Sequence, residues 1–97
     1  MIKVIVKSNN IVIKGHANYA DYDKDIVCAA VSATVITSIN GILNIDNNAI
    51  KYIEKDGYIE IDILKNDIIV NKLIDNMINL LKELSDKYKK NIIVKEE

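Results

Sequence analysis

Ala49-Ile50-Lys51-Tyr52-Ile53-Glu54-Lys55-Asp56-Gly57-Tyr58-Ile59-Glu60-Ile61-Asp62-Ile63 decides the fold class. Ile59, Ile61 and Ile63 point one way while Tyr58, Glu60 and Asp62 point the other, so Tyr58–Ile63 reads as a strand with one wet face. A strand covered on both sides shows a continuous apolar run instead, and the alternation therefore argues for an antiparallel sheet. Lys55-Asp56-Gly57 separates this strand from Ala49–Glu54, and Asp-Gly is a strong hairpin signal because both turn positions favour positive φ.

The chain on either side extends the pattern. Met1–Lys7 sets Ile2, Val4 and Val6 against Lys3, Ile5 and Lys7, a half-buried strand. Ser8-Asn9-Asn10 is a turn whose asparagines tolerate positive φ, and Ile11–Lys14 is the return strand, ending at Gly15-His16. Ala17–Lys24 has little periodicity and reads as a loop. A helix follows from Ile26 to about Asn40, with Asp25 as N-cap and Asp23 as the competing cap. Val27, Val31 and Val35 form a weak stripe, Ala29, Ala30 and Ala33 permit close packing, and Gly41 is the candidate end unless Ile42 and Leu43 add a turn. A second helix, capped by Asn66 or Asp67 and running to about Lys89, carries Ile69, Val70, Leu73, Ile74, Met77, Leu80, Leu81, Leu84 and Tyr88 at spacings of three and four. Asn91–Lys95 is a short edge strand guarded by lysine and glutamate. The expected fold is α+β, in the order β-β-α-β-β-α-(β), an antiparallel sheet packed by two helices in one domain over residues 1–97.

Composition narrows the function. With 49% hydrophobic and 28% charged residues the chain folds without needing disulfides or a metal. All thirteen basic residues are lysines spread among fourteen acids, so there is no guanidinium fork for phosphates or guanine edges, and no nucleic-acid partner is expected. Lys3 and Lys7 interrupt the only leader-like run, and one cysteine forms no internal disulfide, which together point to the cytoplasm. No apolar run is read as approaching the roughly 18 residues that span a bilayer, so no membrane partner is expected.

The chemistry gathers in Gly15-His16-Ala17-Asn18-Tyr19-Ala20-Asp21-Tyr22-Asp23-Lys24-Asp25-Ile26-Val27-Cys28-Ala29-Ala30-Val31-Ser32, which holds the only histidine and the only cysteine. A free thiol of pKa ~8.5 is only a few per cent ionised near neutral pH, and the thiolate is the nucleophile. In the first turn of a helix, unpaired N–H groups and the dipole stabilise that anion, and the same N–H groups can hold an oxyanion. His16 is the only candidate base, and Asp25 or Asp21 could orient it. Against this stands the plain alternative of a small buried cysteine in an apolar run and a surface histidine. Tyr19 and Tyr22 either line a groove or cover the core. Asp21, Asp23 and Asp25 alternate like calcium ligands but lack the glycine and terminal glutamate of such a loop, and one His with one Cys falls short of a zinc set, so neither metal nor other cofactor is expected.

Gly-His-Ala-x-Tyr-Ala followed by Asp-Ile-Val-Cys-Ala-Ala-Val-Ser, with twelve positions from His16 to Cys28, resembles the bacterial ribosomal-processing cysteine proteases called Prp. The resemblance implies a cysteine endopeptidase with a Cys-His dyad, Cys28 as nucleophile and His16 as base, supported by Asp25 and Ser32. It implies a substrate loop including Ala17, Tyr19, Tyr22 and Asp23 that orders over the peptide, a homodimer, and no cofactor. The implied substrate is the N-terminal extension of a large-subunit ribosomal protein precursor, number twenty-seven, whose removal ribosome maturation requires. Asp23 stands where family members often carry glycine, which implies a stiffer loop or altered peptide contacts. Two rival readings are a ribosome-associated binding module with an inert thiol and a purely structural dimer.

Overall fold

The computed structural model describes residues 1–97. Its elements are β1 (Ile2–Val6), β2 (Asn10–Lys14), a 3-10 turn (Tyr22–Lys24), α1 (Ile26–Ile45), β3 (Ile50–Lys55), β4 (Tyr58–Ile63), α2 (Ile68–Lys87) and β5 (Ile92–Glu96). The sheet order is β3-β4-β2-β1-β5. Neighbours pair antiparallel from β3 to β1, with Tyr52 opposite Ile61, Val12 opposite Glu60 and Val4 opposite Ile13. The fold is α+β, with one amendment to the expected sheet. β5 lies parallel to β1, Ile2 opposite Ile92, so the sheet is mixed.

The parallel edge follows from the helices. β2 leads through α1 to β3 and β4 leads through α2 to β5, and each helix returns the chain along the sheet so that its next strand runs in the direction of the one before it. Both helices lie on the face carrying Ile2, Val4, Ile11, Ile13, Ile59, Ile61 and Ile92, all buried. On the opposite face, the Asn10 amide donates to Glu60 and Asp62 at 2.8 and 2.7 Å.

The helix ends differ from expectation for identifiable reasons. α1 runs through Gly41 to Ile45 because Ile42, beyond it, is fully buried and repays the extra turn. Its twenty residues carry no charge, so by length and composition the helix is long and apolar enough to cross a membrane, which corrects the expectation that no run approaches that length. Here it is a core helix, burying Val27, Val31, Val35, Ile39 and Ile42. α2 is capped by Asp67, which accepts from the Val70 amide at 3.0 Å, and stops at Lys87. Ile69 and Leu80, expected on its apolar stripe, are exposed, and Ile78 is buried instead.

Turn chemistry also departs from the pattern. The positive-φ asparagine is Asn18, at 56°, and not one of those between β1 and β2. In the β3–β4 turn only Gly57, at 66°, takes positive φ. β2 begins one residue early, at Asn10, whose carbonyl accepts from the Lys7 amide at 2.8 Å and closes the first hairpin.

Candidate active site

The end of β2, the start of α1 and the β3–β4 turn meet at one end of the sheet, where the Gly15 amide donates to the Gly57 carbonyl at 2.8 Å. Between them lies an open cleft of about 990 Å³. His16, Cys28, Ser32, Tyr22 and Asp23 line one part of it, and Glu54 to Ile59 line the other.

Asp25 builds the entrance to α1. Its Oδ1 accepts from the amides of Val27 at 3.1 Å and Cys28 at 2.9 Å, and its Oδ2 accepts from Tyr19 at 3.0 Å. One carboxylate thus caps the helix and ties down the loop before it. Asp25 is the only buried charged side chain, 7% exposed. Burial pushes its carboxyl up, but the amides of Cys28, Tyr19, Ala20 and Val27 together outweigh burial and hold it below the ordinary carboxylate value. Asp23, the competing cap, lies in the 3-10 turn instead.

This cap has a measurable consequence. On acidification the unfolded chain takes up the Asp25 proton before the folded chain does, so its contribution to stability is complete above roughly pH 5 and is lost as pH falls through the lower folded value. Asp25→Ala is expected to cost about 1–2 kcal/mol near neutral pH. Asp25→Asn is expected to keep the helix cap through its amide oxygen but to set its NH2 group against the Tyr19 amide, and to remove this component of the acid dependence. Denaturant titrations of all three proteins between roughly pH 3 and 7 check both expectations.

Cys28 is the third residue of α1 and is half-buried. Its Sγ accepts from the Ala17 amide at 3.2 Å, so a loop donor faces the sulfur. Ala17 is itself buried, and its carbonyl accepts from the Asn91 side chain at 2.9 Å. The expected use of the first-turn amides changes here. Those of Val27 and Cys28 are occupied by Asp25, whose charge also offsets part of the dipole, leaving the Ile26 amide as the one the cap does not engage.

The other expected residues divide by position. Ser32, one turn beyond Cys28, is exposed on the cleft, whereas Thr34 and Ser38 bond back to carbonyls of their own helix. Tyr22, 88% exposed, lies on the cleft, but Tyr19 stands outside its lining, edge-on to Tyr88 at 5.5 Å. His16 is brought to the cleft with Cys28, yet no hydrogen bond joins them; its Nε2 faces Asp56 Oδ2 at 3.9 Å. Asn91 and Asp56 were not legible as site residues, since one acts 74 positions from Ala17 and the other reads as an ordinary turn.

A cysteine at a helix start with an amide aimed at its sulfur, and a histidine on the same cleft, supply groups that thiol hydrolysis can use. The model of the family described as cysteine protease Prp matches residues 1–93. The chain belongs to the cysteine protease Prp family. It is thereby a cysteine peptidase of the ribosomal-processing type. The ribosomal processing cysteine protease Prp of Mycoplasma genitalium is 30% identical over 110 residues, covering 100% of this chain and 97% of that protein. The Staphylococcus aureus protein of the same name is 28% identical over 89 residues, covering 89% of this chain and 84% of that one. The crystal structure of the S. aureus Prp with a covalently linked product peptide superposes with a TM-score of 0.95 at 24% identity, covering 100% of both chains, and extends the likeness to the whole Prp fold.

Proposed function

We propose that this Prp-family chain is an endopeptidase with a Cys-His dyad that removes the N-terminal extension of a large-subunit ribosomal protein precursor, number twenty-seven. The observation that carries the reading is the Cys28 sulfur, at the start of α1, accepting from the Ala17 amide beside the cleft that His16 shares. In this mechanism the thiol proton passes to His16, and the Cys28 thiolate attacks the scissile carbonyl. The tetrahedral oxyanion is met by the Ile26 amide at the mouth of α1, which the Asp25 cap leaves free, and the leaving amine takes the proton from His16. Water deprotonated by His16 then cleaves the thioester, regenerating the thiol. Cys28 and His16, the latter 48% exposed at its side chain, come within bonding reach when peptide fills the cleft, as catalytic contacts commonly tighten on binding. Asp25 supports the loop, Ser32 and Tyr22 contact the peptide, and Asp23 restricts the loop where a glycine would free it.

An open trough suits an extended peptide better than a small molecule. The product peptide bound covalently to the S. aureus relative supports the same substrate class. A cytoplasmic homodimer belongs to the proposal, supported by the uncharged outward face of α1 beyond the cleft at Ala33, Thr37 and Asn40.

The test is a combined labelling and cleavage assay. Iodoacetamide is expected to modify Cys28 rapidly near neutral pH, the precursor's N-terminal peptide to slow that reaction, and mass spectrometry to find one cut in the peptide. A thiol that stays unlabelled in the folded protein, with the peptide intact, sinks the proposal in favour of a binding module.

A further inference from the structure

His16 owes its place to a segment that the proposed reaction has not used. The Gly15 amide preceding it is bonded to the Gly57 carbonyl at 2.8 Å, which ties the end of β2 to the β3–β4 turn. The imidazole lies directly against that turn, because a Cβ on Gly57 would stand 2.8 Å from Nε2, 3.2 Å from Cε1 and 3.4 Å from Cδ2. No side chain fits there without moving the ring. Asp56, the other turn residue, places Oδ2 3.9 Å from Nε2. The sequence-level candidate Asp25 is committed elsewhere, both its oxygens taken by loop and helix amides.

We infer that the Asp56-Gly57 turn is the positioning element for His16, Gly57 providing the flat backbone against which the ring rests and Asp56 fixing its rotation through Nε2. The inference rests on the peptidase reading above. With Nε2 turned to Asp56, Nδ1 is the nitrogen that receives the Cys28 proton. The Asp56 carboxylate attracts the imidazolium formed when the thiolate appears, and the proton remains on His16. Its side chain is 83% exposed, so the attraction is that of a solvent-screened pair. Gly57 contributes the larger effect because misplacing a catalytic group by about 1 Å costs on the order of 100-fold.

The experiment measures kcat and KM for peptide cleavage, together with the alkylation rate of Cys28, in the wild type, Asp56→Asn, Asp56→Glu, Gly57→Ala, His16→Ala and the His16→Ala/Asp56→Asn double variant. Asp56→Asn is expected to lower kcat about two- to fivefold with KM unchanged, the gap closing at about 1 M salt. Asp56→Glu recovers part of the loss. Gly57→Ala is expected to lower kcat roughly 10- to 100-fold. In the His16→Ala background Asp56→Asn leaves the alkylation rate where it was, since a residue acting through His16 has nothing left to act on.

Wild-type kcat in both turn variants overturns the inference, as does an equal Asp56→Asn effect with and without His16. If Gly57→Ala does not fold, as circular dichroism reports, the exposed Asp56 variants and the double variant still decide the matter. Full turnover in Cys28→Ala or His16→Ala removes the peptidase reading itself. Loss of turnover in those two beside wild-type turn variants removes only the positioning role.

Discussion

Cys28→Ala is expected to abolish precursor cleavage, with a loss of kcat of at least about 10⁴-fold, the scale seen when a nucleophile is removed from a thiol or serine hydrolase. No other thiol exists in the chain to take over the attack. Cys28→Ser is expected to be nearly as inactive, because a hydroxyl in that place is far less ionised than a thiol. His16→Ala is expected to fall within about tenfold of Cys28→Ala, since nucleophile and base act as one unit and their losses do not add. The fold is expected to survive all three changes, because Cys28 is only half-buried and His16 is half-exposed. Steady-state kinetics beside circular dichroism and a melting curve check the set. Substantial turnover in a folded Cys28→Ala protein would falsify the nucleophile assignment.

Gly15→Ala is expected to be the most damaging single change to stability. Gly15 has a φ of 99°, in the region that an L side chain rarely adopts, and a Cβ there would overlap the Met1 carbonyl oxygen. Backbone on backbone leaves no rotamer to relieve the overlap, so strand β1 or the turn into His16 has to shift. Strain and overlap together are expected to cost about 3 kcal/mol or more. At about 4–8 °C per kcal/mol for a domain of this size, the melting temperature falls by at least roughly 12 °C. Gly41→Ala is the control. Beyond its own helix backbone no atom lies within 4 Å of its added Cβ, and mid-helix alanine is favoured over glycine by about 0.5–1 kcal/mol, so that variant is expected to gain stability.

Much of the architecture was legible because its causes are local. Alternation in Tyr58–Ile63, the turn at Asp56-Gly57, the three-and-four spacing along α2 and the cap at Asp25 or Asp67 each depend on residues a few positions apart, and each stands where it was read, apart from Ile69 and Leu80 on the α2 stripe. The parallel pairing of β5 was hidden, because strand direction depends on how α2 carries the chain back over the sheet and on no feature of Ile92–Glu96 itself. The end of α1 was hidden likewise, since the burial of Ile42 that outweighs the helix-weakening Gly41 is a property of the packed core.

The site divides along the same line. His16 and Cys28 could be picked out in the sequence because they are chemically singular in this chain, and the spacing around them carried the Prp resemblance. Their surroundings came from distant segments: Asn91 holding Ala17, Ala17 facing the sulfur, and Gly57 and Asp56 against the imidazole. A residue sequence states which groups have reactive chemistry and which short segments prefer strand, turn or helix. Which amide meets the sulfur, which carboxylate meets the ring and which capping group is already occupied depend on contacts between segments far apart in the chain, and those exist only once the hydrophobic faces of the sheet and helices have closed on one another.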